Sequence, residues 1–86
     1  GDEERDDAAN MLTAQQLGCI KEHMGDILSS REMLIICERF GLFGKSEKTQ
    51  NEIAGELGIS RSYVSRIERK ALDKLHTLLN NYGLLE

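Results

Sequence analysis

The run Thr49-Gln50-Asn51-Glu52-Ile53-Ala54-Gly55-Glu56-Leu57-Gly58-Ile59-Ser60-Arg61-Ser62-Tyr63-Val64-Ser65-Arg66-Ile67-Glu68 reads as two helices joined by one tight turn. Ala54 is small enough to lie under a crossing helix, and Gly58 can take the positive φ that ends the first helix. Ile53, Leu57, Ile59, Val64 and Ile67 supply the apolar contacts that lock the pair. This is the pattern of a helix-turn-helix, and the polar, arginine-bearing outer face of its second helix suits the reading of DNA.

Outward from that run, 86 residues make one domain, with a modest core and no room for a deep cleft between two lobes. A binding module is the expectation, not an enzyme. Proline is absent, aromatic residues number four, and apolar positions recur at three and four rather than two. An all-α domain of four to five helices follows, a helix-turn-helix without a wing. The longest apolar run, Met33 to Cys37, is too short to span a membrane, and no signal peptide is recognisable. Cys19 and Cys37, 18 residues apart with no CxxC pairing, suit reduced thiols in a cytoplasm.

A net charge of -4 argues at first against a nucleic-acid partner, since affinity for duplex comes largely from neutralising phosphates. Its distribution removes the objection. Residues 1–10 hold five carboxylates against Arg5, whereas residues 11–86 carry ten basic and ten acidic side chains. Between Gly58 and His76 the local balance is +3, from Arg61, Arg66, Arg69, Lys70 and Lys74 against Glu68 and Asp73.

Residues 1–10 read as an acidic disordered leader or linker, and residues 11–86 as the domain. A first helix is expected from Met11 or Leu12 to about Met24, with Thr13 as N-cap, Gly25 as stop, and Leu17, Ile20 and Met24 on one face. Ser29 with Glu32 forms a capping-box pattern that starts a second helix, running to about Phe40 and ended by Gly41 and Gly44. Thr49 with Glu52 repeats the box before the third helix, which Gly58 closes. Ser60 caps the fourth, unbroken until Asn80, about 20 residues or roughly 30 Å long. Its ladder of Val64, Ile67, Ala71, Leu75 and Leu78 is expected in the core. The other side presents Arg61, Ser62, Ser65, Arg66 and Arg69. An arginine fork can bond guanine O6 and N7 in the major groove, short serines let the helix approach closely, and Tyr63 can stack on sugar or touch a thymine methyl.

The remaining candidates are weaker. His23 and His76 have no partner at ligand spacing, so neither a metal nor a cofactor is expected. The two cysteines read as small buried hydrophobes. Met33, Leu34 and Cys37 exceed what one core seam needs and are candidates for a docking patch, the alternative being a thicker core. No serine stands beside a histidine and an acid in a hydrolase pattern.

Several blocks carry a resemblance: Leu28-Ser29-Ser30-Arg31-Glu32 through Arg39-Phe40-Gly41-Leu42, then Lys48-Thr49-Gln50, then Gly58 to Glu68, with Ala71-Leu72. In order and spacing they resemble region 4 of bacterial sigma factors, over about residues 28–75. Within that family, the run Gly58 to Glu68 preceded by Glu47 to Gln50 most resembles the sporulation branch of Gram-positive spore formers, sigma-K above all. The regions that bind the -10 element are not in the sequence, so it reads as a fragment or a stand-alone protein. The acidic leader and Leu84-Leu85 depart from the basic tail of sigma-K.

The resemblance implies a promoter-reading domain, residues 11–44 facing RNA polymerase and 49–79 forming the helix-turn-helix. It binds the -35 element while its first two helices dock on the β flap of the core enzyme, or on an anti-sigma factor. Arg61, Ser62, Ser65 and Arg66 then face bases, and Arg69 nears the backbone. Thr49, Gln50 and the start of the third helix grip phosphate. Two alternatives remain: a stand-alone dimeric helix-turn-helix regulator, or a protein-interaction module whose DNA face is vestigial. The isolated domain is expected to be a monomer.

Overall fold

The computed structural model describes residues 12–85. It contains α1 (Ala14–Ile27), α2 (Ser30–Phe40), α3 (Gln50–Leu57) and α4 (Arg61–Asn81), with no strand among the described residues. The expected leader and Met11 lie outside them.

Each helix starts where a hydroxyl satisfies an orphan backbone N–H. Thr13, Ser29 and Thr49 each accept from the amide three residues on, and Gln16, Glu32 and Glu52 reach back to the cap amide. Ser60 Oγ accepts from Tyr63 N at 3.1 Å. Two helices end on left-handed glycines, Gly41 at φ 66 and Gly58 at φ 69. At Gly41 an added Cβ would lie 3.1 Å from the Lys45 carbonyl oxygen, so glycine serves there for space as well as for φ.

The first helix does not stop at Gly25 as expected. It continues to Ile27, and the chain turns extended at Leu28, whose N–H reaches Met24 O at 3.0 Å. A glycine within a helix costs only about 1 kcal/mol relative to alanine. Burial of Leu28, together with Ile27 packed against the core, offsets that cost. Between α2 and α3 the loop is held by Lys48 N, which donates to Glu38 O at 2.8 Å.

The long α4 organises the domain, its N-terminal part packing with α3 and its remainder with α1 and α2. Ile35, Ile53, Ala54 and Val64 form a small core around the turn. Cys19, Ile20, Met24, Ile36, Cys37, Ala71, Leu75, Leu78 and Leu79 belong to the larger one. Of the expected α4 ladder, Ile67 is only half-buried, and the buried neighbour is Glu68. Cys37, expected in a partly free docking patch, is 5% exposed and packed in the larger core. Burial pushes its thiol above the ordinary 9.0, opposed by Lys45 and reinforced by Glu38. After α4, Gly83 at φ 68 reverses the chain, and Gln16 Nε2 donates to Leu84 O at 2.8 Å, drawing the tail onto α1.

Glu32 joins α2 to α4. Its Oε1 accepts from Ser29 N at 2.9 Å and from Lys74 Nζ at 2.8 Å, in a nearly buried site. Burial alone would raise its pKa. The Lys74 hydrogen bond, the Ser29 amide and the charges of Lys74 and Lys70 outweigh burial, and the carboxyl lies below its ordinary 4.5. A depressed carboxylate adds stability that is fully present above the unfolded value and fades as pH falls through the folded one. The urea midpoint is therefore expected to fall below pH 4.5, and to fall less in Glu32→Gln. Equal acid sensitivity in both proteins would remove Glu32 as a source.

Candidate nucleic-acid interface

The turn between α3 and α4 is fixed on both sides. Gly58 N and Ile59 N both donate to Ala54 O, the latter at 3.1 Å, while Ser60 caps α4. Beneath it, Ile53 and Val64 are fully buried against Ile35 of α2. The direction of α4 relative to α3 is thus set by packing as well as by the cap.

At 3.6 residues per turn, Ser62, Ser65, Arg66 and Arg69 fall on one arc of α4, opposite Val64, Ala71 and Leu75. Arg61, Ser62, Tyr63, Arg66 and Arg69 are exposed, and Ser65 is half-buried. Tyr63, 46% exposed, flanks this arc. Beside it opens a shallow recess of about 360 Å³ lined by Gln50, Ser65, Glu68, Arg69, Leu72 and Asp73.

The inner edge of the recess is Glu68, whose side chain is only 5% exposed. Glu68 Oε1 accepts from Arg39 Nε of α2 at 2.9 Å and from Gln50 Nε2 of α3 at 2.7 Å. Arg39 Nη1 donates to Lys48 O at 3.0 Å, in the loop that leads into α3. Gln50 in turn accepts from Arg61 Nη1 at 2.8 Å. One carboxylate therefore ties α2, α3 and the start of α4 together through charge-assisted hydrogen bonds.

At the start of α3, Thr49 is exposed and its capping box satisfies its own amide and that of Glu52. The amides of Gln50 and Asn51 are the first-turn donors that helix geometry and this cap leave over. Lys48 is taken by carboxylates, with Nζ 2.7 Å from Glu56 and 3.7 Å from Glu38. The hydrogen bond to Glu56 is the main cause of its raised pKa, and the same bond lowers that of Glu56.

The expected contacts thus separate by position. Ser62, Ser65, Arg66 and Arg69 stand together, with Arg61 and Tyr63 exposed on either side of them. Thr49 lies at the start of α3, and the side-chain amide of Gln50 is engaged at both ends by other side chains of the protein. Met33 and Leu34 are half-buried on α2, Met33 packed against the larger core. Glu68 and Arg39 were missed as organisers. The signal was present: Glu68 follows Val64 by four residues and precedes Ala71 by three, inside the apolar stripe. Among the described residues no three His, Cys, Asp or Glu gather as a metal site, and no helix is long and apolar enough to cross a membrane.

Residues 26–77 match the family described as sigma-70, region 4. The chain is 53% identical over 73 residues to the RNA polymerase sigma-28 factor of Bacillus thuringiensis, a match covering 84% of this chain and 30% of that protein. It is 60% identical over 60 residues to the RNA polymerase sigma-K factor of Bacillus subtilis, covering 70% of this chain and 20% of that one. The RNA polymerase sigma-E factor of Clostridium acetobutylicum is 47% identical over 53 residues, covering 62% and 23% respectively. The chain therefore spans less than a third of the length of these relatives. No solved structure matches it. The family match takes in the capping boxes of α2 and α3, the turn and the arginine-bearing arc as one block, and the chain belongs to the sigma-70, region 4 family.

Proposed function

We propose that this domain recognises the -35 element of promoters for RNA polymerase, with α4 in the major groove and α1 and α2 toward the core enzyme. The observation that carries the reading is the exposed serine- and arginine-bearing arc of α4, opposite the buried stripe. A B-form major groove, about 12 Å wide, admits a helix. Arg61 and Arg66, with Ser62 and Ser65, read bases, and Tyr63 meets sugar or a thymine methyl. Arg69, Thr49 and the free amides at the start of α3 hold phosphates and set register. Chemistry stays with the polymerase, and the domain contributes position.

On the polymerase side, Met33 and Leu34 are the accessible members of the expected patch, Cys37 being buried. A groove of about 230 Å³, lined by Leu12, Phe40, Leu72, Leu79, other apolar residues and His76, is a second apolar surface suited to the β flap. An anti-sigma factor would compete there. One copy acts per polymerase, in the bacterial cytoplasm, and similarity to sigma-K supports a role in sporulation.

The test is selection of duplexes from a random pool by the chain, alone and with the polymerase flap supplied, followed by titration of the selected duplex. Arg66→Ala is expected to relax preference at particular positions. Arg69→Ala is expected to weaken all sequences about equally and to reduce the salt slope by about 1. Failure to enrich any sequence, with or without the flap, would overturn the reading.

A further inference from the structure

The hydrogen bonds around Gln50 assign it a role other than gripping phosphate. Its side-chain oxygen accepts from Arg61 at 2.8 Å, and its nitrogen donates to Glu68 at 2.7 Å. The orientation of the amide follows from its neighbours. Turned over, its NH₂ would face the guanidinium, donor against donor, and its oxygen would face a carboxylate. Glu68 is itself immobilised by Arg39 and by burial. Order passes outward from a buried ion pair, through an amide of defined polarity, to an exposed arginine.

That arginine is the first helical residue of α4, where a long side chain otherwise samples many rotamers. Arg61 Nη1 is engaged by Gln50, and guanidinium has five N–H donors, so others stay available for a base edge. We propose that Gln50 is a positioning residue that, oriented by Glu68, pre-sets the Arg61 guanidinium and sharpens selectivity at the base pair Arg61 reads. The proposal rests on the base-reading role of Arg61 given above. Its physical basis is preorganisation: a side chain already held in place loses less freedom when it binds.

The test uses the full chain and a labelled duplex that it selects from a random pool, with the panel of single base-pair changes in that duplex. Gln50→Met keeps length and bulk and removes both hydrogen bonds. It is expected to lower discrimination about 2- to 12-fold at the base pair that Arg61→Ala affects, the span for immobilising one long side chain. Discrimination at the Arg66 position and the salt slope are expected to stay unchanged. Combined with Arg61→Ala, Gln50→Met is expected to add nothing.

Thermal melts and helicity check that each variant folds, and Gln50→Ala serves should the methionine disturb packing. If Arg61→Ala leaves every preference intact, the base-reading role of Arg61 fails, and this proposal with it. Should Arg61→Ala act while both Gln50 variants leave its base pair discriminated as before, the positioning role alone is overturned. An additive loss in the double variant would show Gln50 touching DNA itself, and would equally overturn it.

Discussion

Glu68→Ala is expected to destabilise the domain by about 3 kcal/mol, the lower end of the range for removing one partner of a buried ion pair. The cost is large because Arg39, whose side chain is 11% exposed, then keeps its charge in a poorly hydrated site with its 2.9 Å contact to Glu68 removed. Gln50 loses its acceptor at the same time. For a domain of this size that loss lowers Tm by about 12 to 24 °C. Glu68→Gln keeps an acceptor oxygen and should cost less, whereas Glu68→Met with Arg39→Leu removes both charges and should recover much of the loss. Urea unfolding followed by circular dichroism measures all three. A loss below about 1 kcal/mol for the alanine variant would mean that the pair is solvated and does not bind α2, α3 and α4 together.

How much of this was legible beforehand depends on the kind of interaction. Capping boxes are local: Ser29 and Thr49 specify their helix starts through residues three positions on, and the structure places both starts there. By contrast, α1 opens at Ala14, after Thr13, and not at Met11 or Leu12. Gly41 and Gly58 likewise end helices through their own backbone angles. Gly25 misled because its local signal, a glycine near the end of an apolar period, is overridden by tertiary burial of Leu28. Cys37 carried two readings, buried hydrophobe and docking patch, and its packing in the larger core decides for the first.

The candidate interface divides the same way. Exposure of Ser62, Arg66 and Arg69 follows from helical period, whereas Arg61, seven residues before the buried Glu68, is exposed as the first residue of the helix. The Arg39–Glu68 pair spans 29 positions and joins two helices whose crossing no local pattern defines. Gln50 therefore looked like a free polar side chain at a helix start, when it is held from behind. The acidic residue in the α4 stripe was the one available sign that a basic partner lay across the interface, since a buried carboxylate needs pairing.

Replacing Arg61 and Arg66 together by alanine is expected to abolish sequence preference while leaving fold and weak general binding in place. Both side chains are exposed on α4 and neither fills the core, so the Arg66 change should cost less than about 0.5 kcal/mol, and the Arg61 change about 0.5 to 1.5 kcal/mol for its hydrogen bond to Gln50. A bidentate contact to guanine discriminates by about 1 to 3 kcal/mol, so losing two removes about 2 to 6 kcal/mol, or roughly 30-fold or more. The remaining affinity should come from Arg69 and the start of α3. It should therefore weaken with salt and be nearly the same for selected and scrambled duplexes. Arg61 and Arg66 occupy different positions on α4, and only Arg61 is held by Gln50, so the single variants are expected to act at different base pairs. Titration of selected and scrambled duplexes at two salt concentrations measures this. Preference surviving in the double variant would move base reading off α4, to Tyr63 with the serines or to another surface altogether.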